Sequence, residues 1–339
     1  MSMRAMVVRK IAPIEELPLS CEDFPTPEPR GKEILIRVHA CGICRTELDE
    51  VEGRLQTKIP VIPGHQVVGR IVEMGPEAEK FRVGDRVGVA WIYSSCGVCR
   101  FCRRGLENLC ERFMGTGCDA DGGYAEYMVA NEDYIYRIPS VFSDVEAAPL
   151  LCAGAIGYRA LKLTGMEDGD TIGIYGFGSS AHIVFQLIRY LYPNSKIFVF
   201  TRRRGDAPSE LASKMGADWV GETGETPPLK LNCAIDTTPI GVPVREALRN
   251  LERGGRLVMN LIRKEAPITD LDYTQHLWWE REIKSVANIT RRDVAEFLEI
   301  AARVPIKPEV VGFRLEEANE ALKMLKHGRY RGSGVLIIG

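Results

Sequence analysis

Two rhythms of apolar and polar positions run along this chain. Up to about residue 150 the apolar runs are short and β-rich. Glu33-Ile-Leu-Ile-Arg-Val-His39 is one, and Gln66 to Glu73 and Asp85 to Trp91 are others. Gly and Pro separate them at Pro25 to Gly31, Pro60 to Gly64, Gly75-Pro76 and Gly84. Ser143-Asp-Val-Glu-Ala-Ala148 reads as a capped helix start. From Asp170 onward, apolar strands alternate with amphipathic helices. The strands are Thr171–Tyr175, Lys196–Phe200, Asp218–Val220, Cys233–Asp236, Arg256–Asn260 and Ile283–Ala287. The helical stretches include Ser180–Tyr190, Ser209–Met215 and Val242–Leu251. This alternation predicts a parallel sheet built of right-handed βαβ units. Two further helices, Arg292–Arg303 and Leu315–His327, precede a final strand, Gly334–Ile338, whose expected partner is the β-rich first part.

The expected fold class is therefore α/β: a mostly-β domain at 1–152, a doubly wound parallel sheet at 153–288, and a return to the first domain at 289–339. A chain of 339 residues has room for two such cores. With 45% hydrophobic and 27% charged residues, composition excludes a disordered chain, and a net charge of −2 gives no nucleic-acid footprint. No apolar stretch is long enough to span a membrane. The opening Met1-Ser-Met-Arg-Ala-Met-Val-Val-Arg-Lys10 lacks the apolar core of a signal peptide. The ten cysteines are few and uneven for a disulfide scaffold, which points to metal binding in a reducing compartment and a cytoplasmic location.

Cysteine spacing supplies the first chemistry. Cys96, Cys99, Cys102 and Cys110 follow the pattern C-x2-C-x2-C-x7-C, inside a lobe placed at 94–112. Four thiolates from one short loop close a tetrahedral shell around Zn²⁺ and leave no position for a substrate. The expectation is a structural zinc site. It directs attention to a second, open site elsewhere.

Gly176-Phe177-Gly178-Ser179-Ser180-Ala181 contains G-x-G-x-x-A between a predicted strand and a predicted helix, the context of a Rossmann dinucleotide fingerprint. Gly176 permits the tight turn, Gly178 admits a pyrophosphate, and Ala181 lets helix and strand pack closely. At the end of the second strand, where an NAD enzyme usually carries an acid, Thr201 is followed by Arg202, Arg203 and Arg204. A carboxylate there would repel a 2′-phosphate, whereas Arg202 or Arg203 could bind one in a fork. The coenzyme expectation is NADP(H), with NAD(H) as the alternative.

Cys44 in Cys41-Gly-Ile-Cys44-Arg-Thr-Glu47, His65 in Pro63-Gly-His-Gln-Val-Val-Gly69 and Cys152 in Pro149-Leu-Leu-Cys-Ala-Gly154 stand out by context, though their spacing cannot group them. Taken with the four-cysteine lobe, the GxGxxA loop and Ser285-Val-Ala-Asn288, these segments resemble the zinc-dependent alcohol dehydrogenases of the medium-chain dehydrogenase/reductase superfamily, bacterial branch. The resemblance runs in order along essentially the whole chain.

It implies a GroES-like catalytic domain and two zinc ions. One is the structural zinc, and the other is a catalytic zinc on Cys44, His65 and Cys152 with one position open. Thr46 would hydrogen-bond the alcohol oxygen and start a proton relay ending near Asp49, and Glu47 would orient His65. Arg45 and Arg331 would touch the pyrophosphate. Phe177, Ser179, Ser180 and Asn288 would complete the coenzyme site, and Trp91 and Tyr93 would line the substrate pocket. The implied reaction is reversible hydride transfer between a primary or secondary alcohol and NADP(H), in a homodimer or homotetramer. A zinc-free quinone or enone reductase of the same fold is the alternative.

Three positions depart from the family pattern. Gln66 replaces the usual Glu beside the ligand histidine, Asp49 stands where many relatives carry the relay histidine, and Glu47 replaces the commoner Asp. An Asp of ordinary pKa near 4 stores protons poorly at neutral pH. Of the remaining cysteines, Cys41 is expected in a strand-end core, and Cys21, Cys118 and Cys233 as packing residues. His182 is expected to be structural, with a phosphate contact as the alternative. Tyr273, Trp278 and Trp279 fit either core or an oligomer interface.

Overall fold

A computed structural model describes residues 2–339. The chain divides into two compact units. The first comprises Met1–Cys152, Ile289–Ala302 and Pro308–Gly339, and the second Ala153–Asn288 and Arg303–Lys307.

In chain order the first unit opens with β1 (Ser2–Val8), β2 (Leu19–Pro25) and β3 (Glu33–Gly42), then α1 (Arg45–Val51). Strands β4 (Val67–Met74), β5 (Arg86–Val89), β6 (Ile92–Ser94), β7 (Met114–Gly115), β8 (Tyr127–Asn131) and β9 (Ile135–Arg137) follow, with α2 (Asp144–Ala147) and a 3-10 turn at Ala148–Leu151. The second unit holds α3 (Ala153–Thr164), β10 (Thr171–Tyr175), α4 (Ser179–Leu191), β11 (Lys196–Thr201) and α5 (Ala207–Lys214). It continues through β12 (Trp219–Glu222), β13 (Leu231–Asp236), α6 (Val242–Asn250), β14 (Leu251–Met259) and β15 (Glu282–Ser285). The chain closes with α7 (Arg291–Arg303), β16 (Val310–Arg314), α8 (Ala318–Lys326) and β17 (Ser333–Ile337).

The main sheet of the first unit has the order β16-β17-β3-β4-β5-β9, with β8 also on β3. As the sequence leads one to expect, the last strand returns to the β-rich part: β17 runs antiparallel to β3, with Val335 opposite Gly42. Ile34, Ile36, Val38, Val67, Val87 and Leu336 form part of its core. α2 begins as the Ser143 pattern predicts, since Ser143 Oγ accepts from the Glu146 amide and Glu146 accepts from the Ser143 amide.

The second unit is a six-stranded parallel sheet of order β12-β11-β10-β13-β14-β15. Strand β10 is buried at every residue, the continuous apolar run of a strand covered on both faces. Strand order reverses between β10 and β13, and doubly wound sheets bind ligands outside the strand ends at such a point.

Some expectations need correction. Cys21 is exposed rather than packed, because β2 pairs only with β1 in a two-stranded ribbon and turns alternate residues to solvent. Trp278 and Trp279 are about half exposed, which excludes a core role within one chain. The helix expected from Leu315 starts as a 3-10 turn, and the α-helix proper begins at Ala318. Among the described residues, no helix is long and apolar enough to cross a membrane.

Candidate active site

The four cysteines of the lobe converge. Their sulfurs lie within 4.8 Å of one another, and all ten cysteines of the chain are free. Backbone amides point at the sulfurs: Cys99 N–H to Cys96 at 3.3 Å, and Arg112 N–H to Cys110 at 3.4 Å. Such amides favour thiolate, and Cys96 is accordingly held down to about 6, chiefly by backbone N–H groups. The lobe is tied to the rest of its unit by Arg291, whose Nε donates to buried Glu107 at 3.0 Å and whose guanidinium lies over the Tyr134 ring.

A second cluster gathers Cys44, His65 and Cys152, whose ligand atoms also fall within 4.8 Å of one another. Each arrives differently. Cys44 precedes the first turn of α1, His65 sits in the loop before β4, and Cys152 follows the 3-10 turn. The loop needs glycine before His65. Gly64 has φ 101°, and a Cβ there would lie 2.4 Å from the Tyr124 ring and 2.8 Å from Cys41 Sγ.

Glu47 serves two purposes. One carboxyl oxygen accepts from the Cys44 amide at 2.8 Å and closes the start of α1. The other lies 2.6 Å from His65 Nδ1. Both residues are essentially inaccessible to water. A carboxylate on Nδ1 holds the proton there and leaves Nε2 as a lone pair. That Nε2 is buried and has no hydrogen-bond partner among the described residues. Two thiols and an orphaned imidazole nitrogen form a borderline-soft donor set suited to zinc with one position left over. The hydrogen bond from Cys152 and the nearby His65, against the opposing effect of burial, pull the Cys44 thiol well below its usual range.

Two neighbours lie against the cluster. Thr46 Oγ1 lies 3.5 Å from Cys44 Sγ. Trp91 packs edge-on to His65, ring centroids 4.9 Å apart, and stacks on Phe113. Tyr93 is half-buried, and burial together with Glu33 and Asp121 raises its phenol. Asp49 is buried and accepts from Arg54 Nε at 2.6 Å. The arginine that engages it had no signal in the sequence. Arg45 begins α1, and Arg331 is exposed just before β17.

Glu50 is the residue that sequence reasoning missed. It lies one helical turn after Glu47, is 1% exposed, and neither carboxyl oxygen has a hydrogen-bond partner among the described residues. Burial, and then the Glu47 charge, push its carboxyl well above the usual range. A raised pKa in the folded state means that stability is full below about pH 4, the unfolded value, and is lost as pH rises through the folded value. Glu50→Gln should therefore raise Tm by about 2–4 °C at pH 8, the shift made by 1 kcal/mol in domains of comparable size, and by less than about 1 °C at pH 4. Thermal scans at both pH values check this, and an equal gain at both would rule out the ionisation account.

In the second unit the glycine loop has the expected form. Gly176 takes φ 81°, and a Cβ there would collide with Thr237 and Thr238. Gly178 precedes the first turn of α4, and a Cβ on it would meet nothing within 4 Å, so the turn offers open space beside helix amides. Phe177 is buried against Phe185, and Ala181 is fully buried. Ser180 Oγ donates to the Ala153 carbonyl at 2.8 Å, Ser179 begins α4, and Asn288 takes a left-handed φ of 58°. His182 Nδ1 lies 3.1 Å from the Gly178 carbonyl, in keeping with a structural role. Thr201 ends β11, and its hydroxyl is bonded to the Arg203 carbonyl. Arg204 forks onto Glu225, whereas Arg202 and Arg203 are exposed and carry no ion pair among the described residues.

The chain has known relatives. Residues 30–140 match the alcohol dehydrogenase GroES-like domain. The chain is 43% identical to a probable alcohol dehydrogenase AdhA of Mycobacterium tuberculosis (strain CDC 1551 / Oshkosh), covering 99% of this chain and 98% of that one. It is 34% identical to an alcohol dehydrogenase of Geobacillus stearothermophilus, covering 98% of each. Among solved structures, CAD from Helicobacter pylori complexed with NADP(H) superposes with a TM-score of 0.90 at 22% identity, covering 99% of this chain and 98% of that one.

Proposed function

From the premise that this chain belongs to the zinc-type alcohol dehydrogenases of the medium-chain dehydrogenase/reductase family, we propose that it is a zinc-dependent enzyme that prefers NADP(H). It interconverts small primary or secondary alcohols with their aldehydes or ketones. The observation that carries the zinc reading is His65 Nε2, buried without a partner between two thiols while Glu47 fixes Nδ1. Cys44, His65 and Cys152 would hold the catalytic ion, and Cys96, Cys99, Cys102 and Cys110 a structural one. Bound at the first site, zinc supplies Lewis acidity toward a substrate oxygen. The coenzyme supplies the hydride chemistry.

The chain's own residues do the rest. Thr46 Oγ1 accepts the hydrogen bond of the substrate hydroxyl beside Cys44. Trp91, buried on His65, is an apolar wall that keeps water from the imidazole. Asp49 is engaged by Arg54, so the proton released through Thr46 passes to water instead of being stored on a histidine. Arg45, Arg331, Gly176, Phe177, Gly178, Ser179, Ser180 and Asn288 are assigned to the coenzyme. Arg202 and Arg203 are assigned to its 2′-phosphate, since Arg204 is already engaged by Glu225.

We also assign the exposed Trp278 and Trp279, next to the sheet-edge strand β15, to contacts between copies in a homodimer or homotetramer. The ten free cysteines fit a cytoplasmic setting. The test is a panel of alcohols and aldehydes with NADPH and NADH, run before and after dialysis against a chelator, with metal analysis. The expected result is two zinc per chain, NADPH turnover on the panel, and turnover lost as metal is removed. Full activity on enones after metal removal would replace this reading with a zinc-free reductase.

A further inference from the structure

Asp236 closes β13 and is fully buried. One carboxyl oxygen accepts from the Thr238 amide at 2.9 Å and the Thr238 hydroxyl at 2.7 Å. The other faces Lys264 Nζ at 2.5 Å. The same ammonium donates to the carbonyls of Thr238 at 2.7 Å and Ile240 at 2.8 Å. An ammonium has three protons, and these three acceptors take them all. The Lys264 side chain is only 12% exposed. A desolvated ion pair adds little net stability over an apolar pair of the same shape. What this one secures is the course of the strand-end loop from Thr237 to Ile240.

That loop lies at the reversal of strand order. Tyr175, the last residue of β10, is in register with Asp236. Thr237 donates to the Tyr175 carbonyl through its amide at 2.9 Å and its hydroxyl at 3.0 Å. Thr237 and Thr238 press on the glycine turn so closely that a Cβ on Gly176 would lie 2.7 Å from Thr237 Oγ1 and 2.9 Å from Thr238 Cγ2. The Asp236 carbonyl accepts from the Asn260 amide, and the Asn260 side chain reaches Ser180 Oγ at 3.0 Å in the first turn of α4. The loop, the glycine turn and the helix start are thus joined through Asp236.

We propose that Lys264 is a positioning residue for the coenzyme: anchored on Asp236, it clips the Thr237–Ile240 loop onto the Gly176 turn, so that the dinucleotide meets a preformed floor. This rests on the dinucleotide reading of the glycine loop. With every proton engaged, Lys264 acts through the loop and touches no phosphate. A preorganised site binds more tightly because the ordering is already complete.

The test is fluorescence titration of NADPH and NADH into the purified holoenzyme, with steady-state kinetics, for wild type, Lys264→Met and Asp236→Asn. Lys264→Met should raise Kd and KM for both coenzymes roughly tenfold while kcat at saturating coenzyme stays within about threefold. Asp236→Asn should also weaken binding, by about threefold or more. Should Lys264→Met not fold, the sign of the Asp236→Asn effect still decides. If Lys264 contacted a phosphate directly, releasing it from Asp236 would tighten binding, and that result overturns the proposal, as does an unchanged Kd in folded Lys264→Met. A wild type that binds neither coenzyme would instead remove the dinucleotide reading itself, and this inference with it.

Discussion

His65→Ala is expected to reduce turnover about 1,000-fold or more, with zinc falling from two ions to one per chain and NADPH binding unchanged. The size follows from the loss of a Lewis acid worth several kcal/mol, at about 1.4 kcal/mol per factor of ten. The selectivity follows from the architecture. His65 lies in a loop of the first unit and serves Cys44, Cys152 and Glu47, whereas the glycine turn belongs to a separately folded sheet with its own core. The variant also leaves Glu47 buried with one oxygen deprived of its partner, so a modest fall in Tm accompanies the loss. Cys44→Ala should give the same kinetic result while keeping the Glu47–His65 contact, and the two together separate metal loss from the loss of that contact. Metal analysis, coenzyme titration and kcat on a primary alcohol measure all three effects. Turnover that persists in both variants, at one zinc per chain, would mean that the trio is not the reacting centre.

Much of this site was legible in the sequence, and the pattern of success is physical. The four-cysteine lobe is read by spacing because its ligands come from one loop, so chain distance stands for spatial distance. The trio is different. Cys44, His65 and Cys152 are brought within 4.8 Å by a helix start, a loop and a 3-10 turn, and no local rule encodes that convergence. Only the family resemblance grouped them. The sheet of the second unit was readable because buried parallel strands are continuous apolar runs, as Thr171–Tyr175 shows.

What escaped were interactions made by single polar side chains across turns. Arg54 on Asp49 and Lys264 on Asp236 each depend on a contact that alternation and periodicity do not carry, and the burial of Glu50 without a hydrogen-bond partner among the described residues is equally invisible to them. The short strands β1, β2 and β16 escaped for a related reason. β2 and β16 lie in a ribbon and at a sheet edge, where few positions are buried and the alternation is weak, whereas β1 is buried at most positions and only its pairing with β2 went unread.

On the coenzyme assignment proposed above, the choice between NADPH and NADH turns on Arg202 and Arg203, and removing both should have the second large effect. Arg202→Ala with Arg203→Ala is expected to lower kcat/KM for NADPH roughly 100-fold and leave kcat/KM for NADH within about threefold. A charge-assisted hydrogen bond contributes about 1.5–3 kcal/mol, and exposure to solvent brings two such contacts down to about 3 kcal/mol in all. Both side chains are exposed, so the NADPH advantage should also shrink in high salt, as it would not if shape alone selected the coenzyme. Arg204 does not stand in for them, because its fork is engaged by Glu225. Thr201 sharpens the argument. It ends β11 at the place where a carboxylate would accept from a ribose 2′-hydroxyl, and its own hydroxyl is turned to the Arg203 carbonyl. Adding Thr201→Asp to the double variant should therefore raise kcat/KM for NADH while lowering that for NADPH further, since the new carboxylate repels a phosphate and welcomes a hydroxyl. Kinetics with both coenzymes at two salt concentrations measure this directly. Equal losses with NADPH and NADH would show that the arginines support the loop and do not read the phosphate.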